Sequence, residues 1–185
     1  MASAAEMVSA MVPVSTSPLR LRPLRLDDEA AVHGAQGALA ADNFDFAFDL
    51  ASDTDWPAYV AEHELQQRGI DVPPDRVPAS FLVATVDDVI VGRTSIRHRL
   101  NEVLLAFGGH IGYGVLPPYR RRGYATDILR QSLIIARAFG VDRALLTCDD
   151  DNIGSSTVIE RCGGVLDADW PRTDDVRPKR RYWIA

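Results

Sequence analysis

Residues 115–129 read VLPPYRRRGYATDIL. A strand end at Val115 and Leu116 is stopped by Pro117 and Pro118, because proline cannot donate to a sheet ladder. Arg120, Arg121, Arg122 and Gly123 then turn the chain into an amphipathic helix. At about 100° per residue, Ala125, Ile128, Leu129, Ile135, Ala136 and Phe139 share one face. Asp127, Arg130, Gln131 and Arg137 cover the other, and Gly140 supplies the stop. Ile134 breaks the polar face. It is either exposed or covered by a second copy of the chain, so a homodimer is one expectation.

The densest cationic cluster thus sits where a strand gives way to a helix. A helix N-terminus carries unpaired amide donors and about half a positive charge, which makes it an anion site. A glycine there lets a ligand approach the backbone, and flanking arginines would add charge-assisted bonds to a phosphate. The same residues would also make a solvated basic loop. The pattern is neither a P-loop nor a dinucleotide fingerprint: no Gly-Lys-Ser/Thr follows, and GGHIGYG (108–114) precedes the turn.

Outward from this junction, strands and helices alternate. A short strand at 19–24 precedes a helix whose first turn holds Asp27, Asp28 and Glu29, matching the helix dipole. A second helix starts at Asp55 or Trp56 and is closed by Gly69. ASFLVATVDDVIVGRTSIRHRL (79–100) reads as a hairpin turning on Asp87–Asp88. A glycine-rich strand follows, then RALLTCDD (143–150) as a strand, a short helix opened by Asn152, and a terminal strand RRYWIA. This order predicts an α/β (α+β) domain with a mixed, mostly antiparallel sheet. Residues 1–17 are expected to form a disordered tail and residues 18–185 a single domain.

The 185 residues are 46% hydrophobic and 25% charged, with a formal net charge of -6, which argues against nucleic acid as a partner. Cys148 and Cys162 are too few for a disulfide framework or zinc ribbon and suit a reduced, cytoplasmic setting. No apolar run approaches the roughly 18 residues of a membrane span. The opening MASAAEMVSAMVPVSTSP lacks the basic and apolar regions of a signal peptide. No membrane partner is expected. Asp149, Asp150 and Asp151 have no ligand partners at metal-binding spacing, so no metal is expected.

Arg120-Arg121-Arg122-Gly123-Tyr124-Ala125 resembles the Q/R-x-x-G-x-G/A signature of the GNAT superfamily of N-acetyltransferases. The CDDDNIGSSTVIERCGG segment (148–164) is similar to that family's next element, and the likeness spans roughly Phe81 to Ile184, within an uncharacterised bacterial branch of predicted acetyltransferases. The resemblance implies a GNAT-like domain whose central sheet is splayed to hold acetyl-CoA as cosubstrate. Arg120, Arg121, Arg122, Gly123, Tyr124, Ala125 and Thr126 would hold its pyrophosphate. The backbone at Tyr113–Val115 would pair with the pantetheine arm, and Asn152 and Ser155 would contact it. The implied reaction is direct acetyl transfer to an amine on a small molecule or peptide. The rival is a catalytically inactive acyl-CoA-binding sensor or scaffold, and a weaker third reading is a nucleotide-binding regulator.

Such a transfer needs a group to take the proton of an ammonium and one to protonate a departing thiolate. His110 is the first candidate base, with His98 and Glu102 as alternatives in IRHRLNEVL (96–104). Many relatives carry a tyrosine acid seven residues after the asparagine, where this chain has Ile159; Tyr182 is a weaker candidate for that role. Asp149–Asp151 would attract a cationic acceptor or simply be solvated. Trp56, Tyr59 and the aromatics of NFDFAFDL (43–50) would line an acceptor pocket or pack a helix pair.

Overall fold

The computed structural model describes residues 18–169 and 178–185, so the expected tail at 1–17 lies outside it. Among the described residues the elements are β1 (Arg20–Arg22), α1 (Glu29–Ala40), α2 (Trp56–Arg68), β2 (Ala79–Val86), β3 (Val89–Arg97), β4 (Ile111–Val115), α3 (Tyr124–Ala138), β5 (Ala144–Asp149), α4 (Ile153–Arg161), β6 (Val165–Leu166) and β7 (Lys179–Ile184). They form two antiparallel sheets, ordered β1-β2-β3-β4 and β5-β7-β6. A π-helical turn, Leu104–Gly108, stands between β3 and β4.

β2 is buried along its whole length because both faces of its sheet are covered. On one face, Phe81 and Val83 meet Val32, Leu39, Phe46, Trp56 and Tyr59 from α1, α2 and their connection. On the other, Leu82, Ile96 and Ile111 meet Leu129, Leu133, Leu146, Ile159 and Tyr182. Trp56 and Tyr59 are therefore core residues. Their polar ends are satisfied by backbone, Trp56 Nε1 on Leu26 O at 3.0 Å and Tyr59 Oη on Phe48 O at 3.0 Å.

The hairpin turns at Asp87 and Asp88 with φ of 49° and 60°, the left-handed pair that a two-residue turn between twisted strands requires. On α3, Ile128, Leu129 and Ala136 are buried as their spacing predicts. Ser132 is buried beside them, because its hydroxyl donates to Ile128 O at 2.7 Å and accepts from the Thr94 hydroxyl at 3.0 Å, leaving no polar atom unpaired. Phe139 lies at the edge, stacked on His98 at 3.7 Å between centroids, while Ile134 is 66% exposed.

The two sheets meet by hydrogen bonds at one place. Gly109 bridges Leu146, and His110 N–H donates to Leu145 O at 2.7 Å. Gly109 has φ 67°, and a Cβ there would lie 2.5 Å from Leu145 O. Gly109→Ala should therefore lower stability by about 2 kcal/mol or more. Gly34→Ala, in the exposed middle of α1 with nothing within 4 Å of the added carbon, should raise it by about 0.5–1 kcal/mol. Denaturant midpoints of the two variants read opposite signs.

His63 on α2 stacks on Phe81 and Tyr59, and neither ring nitrogen has a partner among the described residues. Burial and the nearby Arg76 cation push its pKa down to about 4, against a small opposing pull from Asp49. The unfolded chain therefore binds the extra proton between about pH 6.5 and about pH 4. Stability should fall as pH drops through that window. His63→Phe should make the acid limb of a stability–pH curve shallower.

Candidate active site

Pro117–Tyr119 forms a 3-10 turn after β4, and the basic run folds back on itself before α3. Arg121 has φ 62° and Gly123 φ 84°, so two left-handed residues aim the following amides along the helix start. The N–H groups of Thr126 and Asp127 return to Gly123 O at 3.0 and 3.2 Å. Those of Gly123, Tyr124 and Ala125 meet no acceptor among the described residues. A Cβ on Gly123 would have nothing within 4 Å, so the space above these amides is open. The geometry fits a bound pyrophosphate.

The three arginines do different things. Arg120 Nε donates to Val115 O at 3.1 Å and its fork pairs with Asp42 after α1. Arg122 donates to Pro118 O at 3.2 Å and lies over the Tyr119 ring, while Arg121 is exposed. Arg120 thus fastens the turn to the rest of the domain, an ion pair invisible to a count of local charge.

Leu116 N–H donates to Val91 O and Arg97 N–H to His110 O, which sets the alternation along β4. Positions 110, 112, 114 and 116 bond to β3. Ile111, Tyr113 and Val115 present their backbone groups to the opposite edge. Beyond the Gly109–Leu146 bridge β5 does not pair with that edge, and the sheets part. Tyr113 N–H and C=O therefore face the gap without a strand partner among the described residues.

On the far side of the gap, Asn152 caps α4, its Oδ1 accepting from Ser155 N–H at 2.9 Å. Tyr113 reaches across: its hydroxyl lies 3.2 Å from Ser155 Oγ. Burial raises the phenol pKa, and the Ser155 hydrogen bond only partly opposes this, so the group stays protonated at neutral pH. The sequence had pointed only to the Tyr113 backbone; what places its side chain is the β4 register, which pairs Tyr113 with Thr94 on the α3 face.

The catalytic candidates do not converge. His110 Nδ1 accepts a hydrogen bond from Leu145 N–H at 2.9 Å, and a backbone N–H can only donate. The neutral ring must then carry its proton on Nε2, so its one basic lone pair is spent on the sheet junction. Burial, and secondly Arg97, lower its pKa further. His98 Nε2 is bonded to Ser80 Oγ at 2.9 Å, and its ring stacks on Phe139. Glu102 is exposed. Tyr182 is 1% exposed and donates to Glu160 Oε1 at 3.0 Å inside the core. Asp149 and Asp150 pair with Lys179 and Arg180 of β7. The Cys148 thiol is pushed up to about 11 by burial and is no nucleophile at neutral pH.

The α1–α2 face of β4 carries charge that the sequence did not reveal. Arg93 is 3% exposed, and its guanidinium donates to Phe46 O, Asp45 O and Gly112 O while lying over the Phe44 and Phe48 rings at 4.4 and 4.7 Å. Burial, with Arg97 beside it, holds its pKa down to about 9. A Cβ on Gly114 would sit 2.6 Å from the Phe44 ring, and one on Gly112 3.2 Å from Arg97 Nη1. These two glycines make room for the side chains of Phe44 and Arg97.

The described residues thus set a turn with unpaired amides beside a gap between two parted sheets. The acetyltransferase (GNAT) domain model matches residues 18–165, and the chain belongs to that family. It is an acyl-CoA-dependent N-acetyltransferase, moving acetyl from acetyl-CoA to an amine. The match begins at residue 18, well before the Phe81 at which the sequence resemblance started. No curated protein matches the chain. Among solved structures it is similar to a Salmonella typhimurium acetyltransferase that modifies the N-terminal serine of a 50S ribosomal subunit protein, at 20% identity and TM-score 0.63, covering 94% of this chain and 97% of that one. It is also similar to Mycobacterium smegmatis RimJ in complex with CoA-disulfide (22%, TM-score 0.60, 90% and 81% covered). A third is yncA, a putative acetyltransferase from Salmonella typhimurium with acetyl-CoA (14%, TM-score 0.60, 90% and 92% covered). At these identities the likeness is one of fold. No helix among the described residues is long and apolar enough to cross a membrane.

His110→Ala should cost about 1–3 kcal/mol by leaving Leu145 N–H without an acceptor. His110→Asn, whose amide oxygen can occupy the Nδ1 position, should restore most of it. If the pH profile of turnover in His110→Asn matches that of the parent, the imidazole is a structural strut. A lost acid limb would make it the base after all.

Proposed function

We propose that acetyl-CoA lies in the gap between β4 and β5, with its pyrophosphate on the amides of Gly123, Tyr124 and Ala125 and its arm along the free edge of Tyr113. Arg121, Arg122 and Thr126 border the phosphates, and Asn152 and Ser155 flank the arm. The observation that carries this reading is the coincidence of unpaired amides at the start of α3 with unpaired backbone at the edge of β4. When bound, the thioester supplies an acyl group already activated for attack, so the protein must chiefly align an amine with it.

Within that reading the residues divide the work. His110 fixes the β4–β5 junction and the width of the gap. Tyr113, protonated and hydrogen-bonded to Ser155, holds the proton that the departing sulfur needs. The acceptor's ammonium gives its proton to water, since the His110 Nδ1 lone pair is taken and His98 is bonded to Ser80. The acceptor is a primary amine of a small molecule or a peptide N-terminus. The Salmonella typhimurium neighbour that modifies an N-terminal serine supports the second kind.

Calorimetric titration should show saturable binding of acetyl-CoA and CoA, with ATP far weaker. Gly123→Asp should remove that binding while leaving the thermal unfolding transition in place; unchanged affinity would rule out the cradle. In a thiol-release assay over a panel of amines, Tyr113→Phe should lower kcat about tenfold or more with coenzyme affinity kept. Full turnover by Tyr113→Phe would remove the phenol from the mechanism.

A further inference from the structure

Arg93 and Arg97 share a face of β3 and differ in what holds them. Arg93 is saturated by three carbonyls and two rings. The Arg97 guanidinium makes no hydrogen bond and no ion pair among the described residues; its one contact of note is the Phe48 ring at 6.0 Å. It is half-buried rather than sealed, so an outside group can reach it. Its Nη1 lies against Gly112, the residue between Ile111 and Tyr113 whose backbone faces the gap. Burial lowers its pKa, and no carboxylate opposes that shift.

A guanidinium is a planar fork of five donors, and holding one partly out of water with no acceptor is costly. The neighbouring Arg93 adds to the positive field, because carbonyls and rings solvate its charge without cancelling it. The opposite face of β4 is closed by α3, with Ile111 packed among Leu129 and Leu133. An amine approaching β4 therefore comes from the face that carries Arg97, His110 and Phe48.

We propose that Arg97 selects the acceptor by pairing with a carboxylate that the acceptor carries within a few bonds of its amine. This rests on the coenzyme site described above. The preferred substrates are then anionic amines: a free α-amino acid, or a peptide whose N-terminal residue is Asp or Glu. The chemistry is the fork-to-fork pairing of guanidinium and carboxylate, which a lysine cannot reproduce. The chain's net charge of -6 would suggest a cationic substrate, but a desolvated contact outweighs a screened surface field.

The test uses the full chain and matched acceptor pairs that differ only in the charge: a free amino acid against its amide, and a Glu-initiated peptide against its Gln counterpart. The carboxylate member should be favoured by about ten- to hundredfold in kcat/KM in one arm, and that arm identifies the source. Arg97→Gln should erase the ratio through KM while acetyl-CoA affinity by calorimetry stays the same. Arg97→Lys should recover only part of it. Gly112→Ala, which crowds the fork without removing it, should shrink the ratio and covers the case in which Arg97→Gln does not fold. Calorimetry of the same pairs against the CoA complex reads the preference without turnover. A ratio near one in both arms for the parent protein, or a ratio that survives Arg97→Gln, overturns the proposal while coenzyme binding stands. Failure of the parent protein to bind acetyl-CoA overturns the site reading and this proposal with it.

Discussion

The architecture turns on one reciprocal pair of hydrogen bonds. His110 N–H donates to Leu145 O, and Leu145 N–H donates back to the His110 ring. In a continuing ladder the second bond would go to a carbonyl of β4. Here the His110 carbonyl is turned to Arg97 of β3, and the imidazole stands in for it. The ladder has nowhere to propagate, so β4 and β5 touch at Gly109 and Leu146 and then separate. A side chain used as a backbone surrogate is thus what opens the site. It also explains why a titratable group sits deep in a sheet with a pKa pushed below its ordinary value: the neutral ring is the one that makes the bond.

The two faces of the opened strand are unlike. Toward α3 and α4 the packing is apolar, and the buried polar groups there, Ser132 and Thr94, satisfy each other. Toward α1 and α2 the strand is crossed by the segment 43–50, whose alternating Phe44, Phe46 and Phe48 bring two ring faces and two backbone carbonyls onto Arg93. Aromatic faces and carbonyl oxygens solvate a cation without neutralising it. The protein therefore keeps positive charge on this face of a chain that is acidic overall, and Gly112 and Gly114 leave the volume for it.

What the sequence revealed was what local physics controls. The period of α3, the left-handed Asp87–Asp88 turn, the Asn152 cap and the stop at Pro117 each depend on a few neighbouring residues, and each lies where spacing put it. The basic cluster was legible as a tight turn into a helix for the same reason. Other features depend on partners far away in the chain. Arg93 reads as a surface cation until Asp45 and Phe46, 48 and 47 residues upstream, fold over it. Asp149 and Asp150 read as free charge until Lys179 and Arg180, 30 residues on, pair with them. His110 reads as a base because its type suits one, and only the register of β5 shows its lone pair occupied. The π-helical turn at Leu104–Gly108 has no apolar period to announce it.

Ile159 shows how a missing group constrains the chemistry. The family resemblance implied a phenol delivered from α4 at this position. In this chain the residue is fully buried among Leu129, Leu146 and Tyr182, and its Cγ2 lies 2.5 Å from where a Cβ on Gly164 would be. A ring could not enter there without lifting α4 from the sheet. Tyr113 brings a phenol from the opposite wall, rooted in β4 and ending on the first turn of α4. The donor would then ride on the strand whose edge holds the coenzyme arm. Any motion that widened the gap would carry the phenol away from Ser155, so the junction at His110, by fixing that width, would also govern where the proton sits.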